Sequence, residues 1–467
     1  MNGRLAAAAA AFLLAACASV PPIDRYLIEQ EREPVRVETG HGVLSHAASE
    51  KILQDLKRRS PASDILEHHV AVEEALTETP LTAGNVVQAL EDGKATYASM
   101  LQAIRGAKQH VHMEMYIFEA DETGQGFAEA MKERVRAGVR VRLIYDAVGC
   151  FSVPKEFFKD LADNGVQVVE YNPVNAKNIL GSPESIQNRD HRKLVIVDGR
   201  VAFLGGINIS SVYSSGSSSS RGDKPSGGSA SDKPFEERPW RDLQVRLEGP
   251  VVLDLQHAFA AQWEKWKKEP LADVALYPDT KAPGNHLVRA IAASPSAKGL
   301  NPTYVALISA IESSEIEVLI TNAYFVPHPQ LLQALEAAAR RGVKVQLILP
   351  SKTDNAVVYH AGRSYYGEML EAGVRIFERK TRLLHAKSAT IDGVWSTVGS
   401  TNLDWRSLVY NDELNAVVLG PDFARQMGEI FAKDLSHSEE ITRQKWHDRP
   451  FEDRVKEIAA RAWAQLL

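Results

Sequence analysis

From Gly84 onward, short apolar runs that read as strands alternate with longer stretches whose apolar positions recur at helical spacing. GNVVQAL (84–90) opens a strand, TYASMLQAIRGAK (96–108) a helix and HVHMEMYIF (110–118) a strand. GQGFAEAMKERVRAG then reads as a helix closing on Gly138, VRVRLIYD as a strand, EFFKDLADNG as a helix and VQVVEYN as a strand. The second half repeats the pattern. GNHLVRAI (284–291) matches GNVVQAL, TYVALISAIESSE matches the first helix, and EVLITNAYFV matches HVHMEMYIF. RRGVKVQLILP matches RAGVRVRLIYD, and EAGVRIFE matches DNGVQVVE. A period of about 200 residues means two homologous α/β domains and not a solenoid. They are placed at 84–272 and 284–440, joined by a linker at 273–283, with an extension at 17–83 and a tail helix at 441–467.

The pattern breaks in three places. After Asn208 comes SSGSSSSRGDKPSGGSASDKP, about 214–234, with nothing able to build a core; it reads as a mobile surface loop, and its Arg-Gly-Asp as incidental. In the extension, charged stretches alternate with possible helices and offer no chemistry, and the adjacent His68 and His69 read as surface histidines. In the tail, Val455, Ile458, Ala462 and Leu466 recur at helical spacing. That predicts a helix closing on its own domain; a sharper alternative is an interfacial helix using Trp463.

Composition narrows the classes. With 467 residues and 44% hydrophobic content the chain can bury two cores. Lys+Arg of 54 against Asp+Glu of 60 gives a net charge of −6, which argues against a nucleic-acid partner. The two cysteines, Cys17 and Cys150, are too few for a disulfide framework, and no internal run is long enough to span a bilayer. Residues 1–16 read as a secretory signal, with Arg4 followed by an apolar run to Leu14.

The chemistry is concentrated in HRKLVIVDGRVAFLGGIN (191–208) and HAKSATIDGVWSTVGSTN (385–402). His191, Lys193, Asp198, Gly205 and Asn208 recur as His385, Lys387, Asp392, Gly399 and Asn402, every pair separated by 194 positions. On a strand, side chains two apart share a face, so each His and Lys project together. A third pair follows from the repeat. Asp242 lies seven residues before Gly249, and Glu413 seven before Gly420. A buried carboxylate at that point of each half can accept a hydrogen bond from a histidine Nδ1–H and leave Nε2 aimed at a substrate. His110 and His112 also share a strand face, but with no third ligand nearby they read as structural.

This doubled motif resembles that of the phospholipase D superfamily. Its flanks, NRDHRKLVIVDGRVAFLGGINIS and VGSTNLDWRSLVYNDELN, together with YFVP (324–327), are most similar to bacterial cardiolipin synthases. The resemblance implies one α/β/α sandwich per half, related by a pseudo-twofold axis, with the site between them. It also implies phosphodiester transfer through a phosphohistidine, with His191 as nucleophile and His385 as acid and then base; the sequence itself is symmetric on that point. Lys193, Lys387, Asn208 and Asn402 would hold the phosphoryl oxygens, so neither metal nor cofactor is expected, while Asp198 and Asp392 would brace the motif more than react. The implied activity is transfer of a phosphatidyl group from phosphatidylglycerol to a second phospholipid head group, giving cardiolipin. The alternatives are hydrolysis to phosphatidic acid, a nuclease, or a non-catalytic lipid-binding lipoprotein. No obligate protein partner is evident.

The ending Leu14-Ala15-Ala16-Cys17 resembles the lipobox of bacterial lipoproteins. It implies a lipid anchor on Cys17 in the bacterial envelope, facing the periplasm, and Ala18 favours the outer membrane. Cys150 is then left unpaired and reads as a small core residue.

Overall fold

A computed structural model describes residues 35–60, 64–66, 69–77, 79–175, 187–215, 234–271, 276, 278, 282–295 and 301–462. The signal, Cys17, His68, the body of the low-complexity insert, Trp463 and Leu466 lie outside the described residues.

Each half builds one sheet on the same seven strands, and in the second half Ser438–Ile441 adds an eighth, antiparallel to Arg375–Arg379 at the edge. The first contains β1 (Leu81–Glu91), β2 (His110–Met115), β3 (Arg140–Asp146), β4 (Gln167–Tyr171), β5 (Lys193–Val197), β6 (Val201–Gly205) and β7 (Leu243–Glu248). The second contains β8 (His286–Ala293), β9 (Glu317–Asn322), β10 (Lys344–Pro350), β11 (Arg375–Arg379), β12 (Lys387–Ile391), β13 (Trp395–Gly399) and β14 (Asn411–Leu419). Strand order is β4-β3-β2-β5-β6-β7-β1 in the first sheet. It is β11-β10-β9-β12-β13-β14-β8 in the second, the same order displaced by seven strands. In each, three successive strands run parallel, and the strand that begins at the motif lysine, two residues after the histidine, pairs antiparallel with the first of them. The two sheets meet where β1 and β8 pair antiparallel, Val288 opposite Thr82.

Alternation along the strands divides the core into three layers. On β5, Val195 and Val197 join an outer core with Phe127, Met131 and Phe158 from the helices of the first half. Leu194 and Ile196 face a central core shared by both halves, which includes Ile348, Leu414 and Phe423 of the second. The helices Val251–Lys267 and Pro421–Leu435 fill this central layer. Removing either half would therefore expose a continuous apolar face.

The described part of the extension braces the fold, and none of its residues lines the cavity between the motifs. Val37–Thr39 pairs parallel to β1, and helix His69–Thr77 packs on the second half. The expectation of a surface histidine fails for His69. It is fully buried, its Nε2 lies 2.9 Å from Glu73, and its ring stands edge-on to Trp395. Glu73 also accepts the Trp395 indole N–H at 2.9 Å, and Glu74 pairs with buried Arg289 at 2.7 Å.

The tail departs from expectation as well. Its helix, Phe451–Arg461, does pack on its own half, but through Ala460 and Glu457. Val455 and Ile458 face outward. Cys150 is buried, with its Sγ accepting the Phe118 N–H at 3.3 Å. His110 and His112 are buried too, His112 between Gln256, Arg142 and the Phe259 ring.

Candidate active site

The approach to each motif is fixed by backbone pairing across the two halves. Arg189–Asp190 runs parallel to Asn411–Asp412 at the start of β14, and the His191 N–H donates to the Asp412 carbonyl at 2.9 Å. The mirror arrangement pairs Arg241 with Leu384, and the His385 N–H donates to the Arg241 carbonyl at 2.7 Å. Each histidine is thereby set beside the residue that follows in the other half. His191 Nδ1 lies 3.0 and 3.1 Å from the two Glu413 oxygens, and His385 Nδ1 lies 2.7 Å from Asp242 Oδ2. The pairing is crossed: neither half holds both members of a pair. With a carboxylate as acceptor, Nδ1 carries the ring proton and Nε2 keeps its lone pair.

The surrounding residues explain the rest of the pattern. Gly205 and Gly399 lie where a Cβ would meet the amide oxygens of Gln244 and Asn415 at 2.5 and 2.2 Å. Those amides anchor the turns leading to the motif asparagines, Gln244 accepting from Ile207 N–H and Asn415 from the Thr401 hydroxyl. At Gly206 a Cβ would stand 2.2 Å from Asp242 Oδ1, so glycine there leaves room for the carboxylate. The equivalent Ser400 instead donates its hydroxyl to Glu413 at 2.5 Å.

Asp198 and Asp392 lie at the far end of their strands, outside the cavity. Both sit at positive φ ahead of a glycine, closing the hairpins β5–β6 and β12–β13. Asp198 accepts the backbone N–H groups of Lys108, Gln109 and His110, and Asp392 those of Glu315, Ile316 and Glu317, all at 2.8–2.9 Å. Each aspartate thus ties its hairpin to the neighbouring parallel strand.

His191, His385, Asn208 and Asn402 line one cavity of about 490 Å³. Asn208 is held by the Ile117 N–H at 3.1 Å and donates to the Tyr213 hydroxyl at 2.9 Å. The Asn402 side-chain oxygen is buried and unpartnered among the described residues. Of the aromatic walls, Tyr324 belongs to the YFVP stretch, while Tyr116 and Trp240 carry no motif signal in the sequence. Tyr116 stands edge-on to His191, with ring centroids 5.0 Å apart, and Trp240 and Tyr324 flank His385 at 5.5 and 6.1 Å. Trp240 and Asn411 occupy equivalent places two residues before Asp242 and Glu413, so the walls break the symmetry of the centre.

Lys193 and Lys387 are buried immediately behind the histidines, each amine donating to the carbonyl of its own motif histidine. Burial holds the Lys193 amine down to about 7 and the Lys387 amine to about 8, against the pull of Glu413 and Asp242. Burial also takes His191 down to about 4, although Glu413 opposes it, and lowers His385. Burial alone would raise Glu413, but His191 and Lys193 hold it below the usual carboxylate range. The centre is thus a pair of neutral imidazoles backed by amines that an arriving anion would keep charged. Among the described residues no cluster of metal-ligating side chains occurs.

Comparison with known proteins agrees with this geometry. The family model described as "Cardiolipin synthase, PLD-like domain" matches residues 100–215 and 307–435, one segment in each half. The cardiolipin synthase of Geobacillus kaustophilus is 32% identical over 396 residues, covering 83% of this chain and 74% of that protein. Cardiolipin synthase 2 of Bacillus anthracis is 34% identical over 382 residues, covering 81% and 70%. Among solved structures, the phosphatidylserine synthase of Haemophilus influenzae superposes with a TM-score of 0.61 at 13% identity, over 85% of this chain and 97% of that one, which speaks for the fold alone. The doubled motif, the repeated sheet and these relatives converge: the chain belongs to the phospholipase D-like cardiolipin synthase family.

Proposed function

We propose that this chain synthesises cardiolipin from two molecules of phosphatidylglycerol. The observation that carries the reading is the pair of cross-oriented histidines opening onto one cavity. His385, neutral in the empty site, takes a proton on Nε2 as the anionic phosphodiester binds; His191 Nε2 then attacks phosphorus, the P–N bond forms as the bond to the glycerol oxygen breaks, and His385 gives its proton to that alkoxide. Glycerol leaves. Neutral His385 then takes the proton from a hydroxyl of a second phosphatidylglycerol, whose oxygen attacks phosphorus and displaces His191. Glu413 and Asp242 orient the two rings and stabilise their charged forms, while Lys193, Lys387, Asn208 and Asn402 hold the non-bridging oxygens. Acid–base transfer of this kind contributes roughly 10²–10⁴ in rate, and preorganised positive charge a comparable share. Purified protein given phosphatidylglycerol alone should yield cardiolipin and glycerol in equal amounts. Phosphatidic acid as the sole lipid product would show a hydrolase instead.

By the same reading the chain is a bacterial membrane-associated protein, anchored through a lipid on Cys17 and facing the periplasm, with the outer membrane favoured. The Leu-Ala-Ala-Cys ending supports this. Intact mass spectrometry of the mature protein tests it: an unmodified or differently cut N-terminus would exclude the anchor.

A further inference from the structure

Water-exposed apolar side chains gather on both sides of the cavity mouth, and we propose that they form a docking surface for the face of a phospholipid bilayer. This rests on the lipid reading of the cavity. Nine large apolar side chains are exposed among the described residues, and six of them lie on a turn pressed against one cavity wall, on a helix that supplies another, or on the helix packed against it. One patch is the turn after β3, with Phe151 at 85% exposure and Val148 at 43%. Gly149 presses that turn against Tyr116, a wall of the cavity, so closely that a Cβ would stand 2.0 Å from the Tyr116 carbonyl oxygen.

The second patch is on the other half. Helix α1 (Ala356–Arg363) turns Val358 into the cavity wall and Val357 outward, 46% exposed. Helix α2 (Phe451–Arg461) lies along α1 and buries Ala460 with Val358 and Ala361. Its outward face carries Phe451, Val455 and Ile458, exposed by 79, 49 and 74%. Those positions are four and three apart and form one stripe. The inward face holds the fully buried Glu457, paired with Arg363 at 3.2 Å and Arg449 at 2.9 Å. A helix facing water would put the glutamate out and the valine and isoleucine in. Here the order is inverted, and the paired glutamate fixes which face points out.

The occupant follows from the position of the patches. They come from different halves and flank one opening, so a second protein seated on both would close it. A bilayer pressed against them would not, because its lipids are what the opening must receive. A phosphatidyl head group reaches the buried histidines without drawing its acyl chains into water only if the mouth rests on the membrane.

The test uses full-length chains carrying Cys17→Ser, so that no lipid anchor contributes. Co-sedimentation with vesicles of phosphatidylethanolamine and phosphatidylglycerol is compared between that chain and two variants. One carries Phe451→Ser, Val455→Ser and Ile458→Ser; the other carries Phe151→Ser. The triple change should weaken vesicle binding by about tenfold or more, and the single change by a few-fold. Both variants should keep the parent's melting temperature and its turnover of a soluble nitrophenyl phosphodiester. Unchanged vesicle binding would overturn the proposal, as would a parent dimer that the same substitutions dissolve. If the parent binds vesicles through these residues yet makes no cardiolipin, the docking surface stands and the catalytic reading falls.

Discussion

Replacing Glu413 by glutamine tests the crossed pairing at its more heavily bonded end. Glu413 accepts from His191 Nδ1, Ser400 and Asn411, and is fully buried. A glutamine keeps the shape and can still accept through its amide oxygen, so the fold should survive. What disappears is the negative charge 3.0 Å from a ring that becomes cationic when its Nε2 bonds to phosphorus. A charge pair at about 4 Å in surroundings of effective dielectric near 20 interacts by roughly 4 kcal/mol. The amide dipole recovers part of that, leaving a loss of about 3–4 kcal/mol, or roughly 10²–10³ in rate. The matched variant is Asp242→Asn, which removes the charge behind His385. The assay follows two substrates: phosphatidylglycerol, whose alkoxide must be protonated to leave, and a nitrophenyl phosphodiester, whose leaving group needs little help. Glu413→Gln should slow phosphatidylglycerol turnover and the nitrophenolate burst alike. Asp242→Asn should slow phosphatidylglycerol turnover by a similar factor yet leave the burst intact, with label persisting on the peptide that holds His191. The opposite pattern would reverse the two histidines. No change beyond a few-fold in either variant would refute the orienting role of both carboxylates.

Other outcomes follow from the same geometry. Gly206→Ala should push Asp242 aside and reproduce the Asp242→Asn kinetic pattern; wild-type kinetics there would mean that the carboxylate is not positionally constrained. Replacing the insert, about 214–234, by a short Gly/Ser turn should leave activity within a few-fold, since the other half has no counterpart to it; complete loss in a folded variant would contradict this. Turnover should be indifferent to EDTA, because on the proposed mechanism lysines and asparagines, not a carboxylate-bound metal, hold the phosphoryl oxygens; loss of turnover restored by added metal would count against the mechanism. The pH dependence of stability has a definite sign at His191. In the unfolded chain the imidazole binds a proton below about 6.5, whereas in the folded protein it does so only near 4. The unfolded state therefore holds more protons in that window, and this contribution, fully present above pH 6.5, is lost as pH falls to 4. It is worth about 3 kcal/mol, so denaturant titrations should show His191→Asn losing less stability than wild type between pH 7 and 4.

The strands and their succession along the chain are legible because Val, Ile and Leu runs bounded by Gly recur in the same sequence in both halves; their order within each sheet is not. The pairs Asp242 with Glu413 and His191 with His385 were legible as equivalents from spacing alone. Which carboxylate serves which histidine was not. An internal repeat establishes correspondence and is blind to whether contacts form within a copy or between copies. The crossing is decided by two short parallel bridges, at Arg189–Asp190 and at Arg241, and two-residue pairings leave no hydrophobic periodicity. The inverted tail helix escaped for a related reason. Apolarity alone places Val455 and Ile458 in the core, whereas the buried face is set by ion pairs between Glu457 and two arginines, Arg363 far away in the chain and Arg449 nearby.

The crossed carboxylates also bear on the order of events during synthesis. As the chain emerges, His191 and Asp242 come first, and these two do not pair with each other. The first half can complete its own strands and still hold a histidine that lacks its carboxylate. His385 must emerge before it can meet Asp242, and the second half must emerge through Glu413 before the His191 ring is oriented. On the proposed mechanism, the phosphodiester chemistry is therefore withheld from any chain that ends before Glu413.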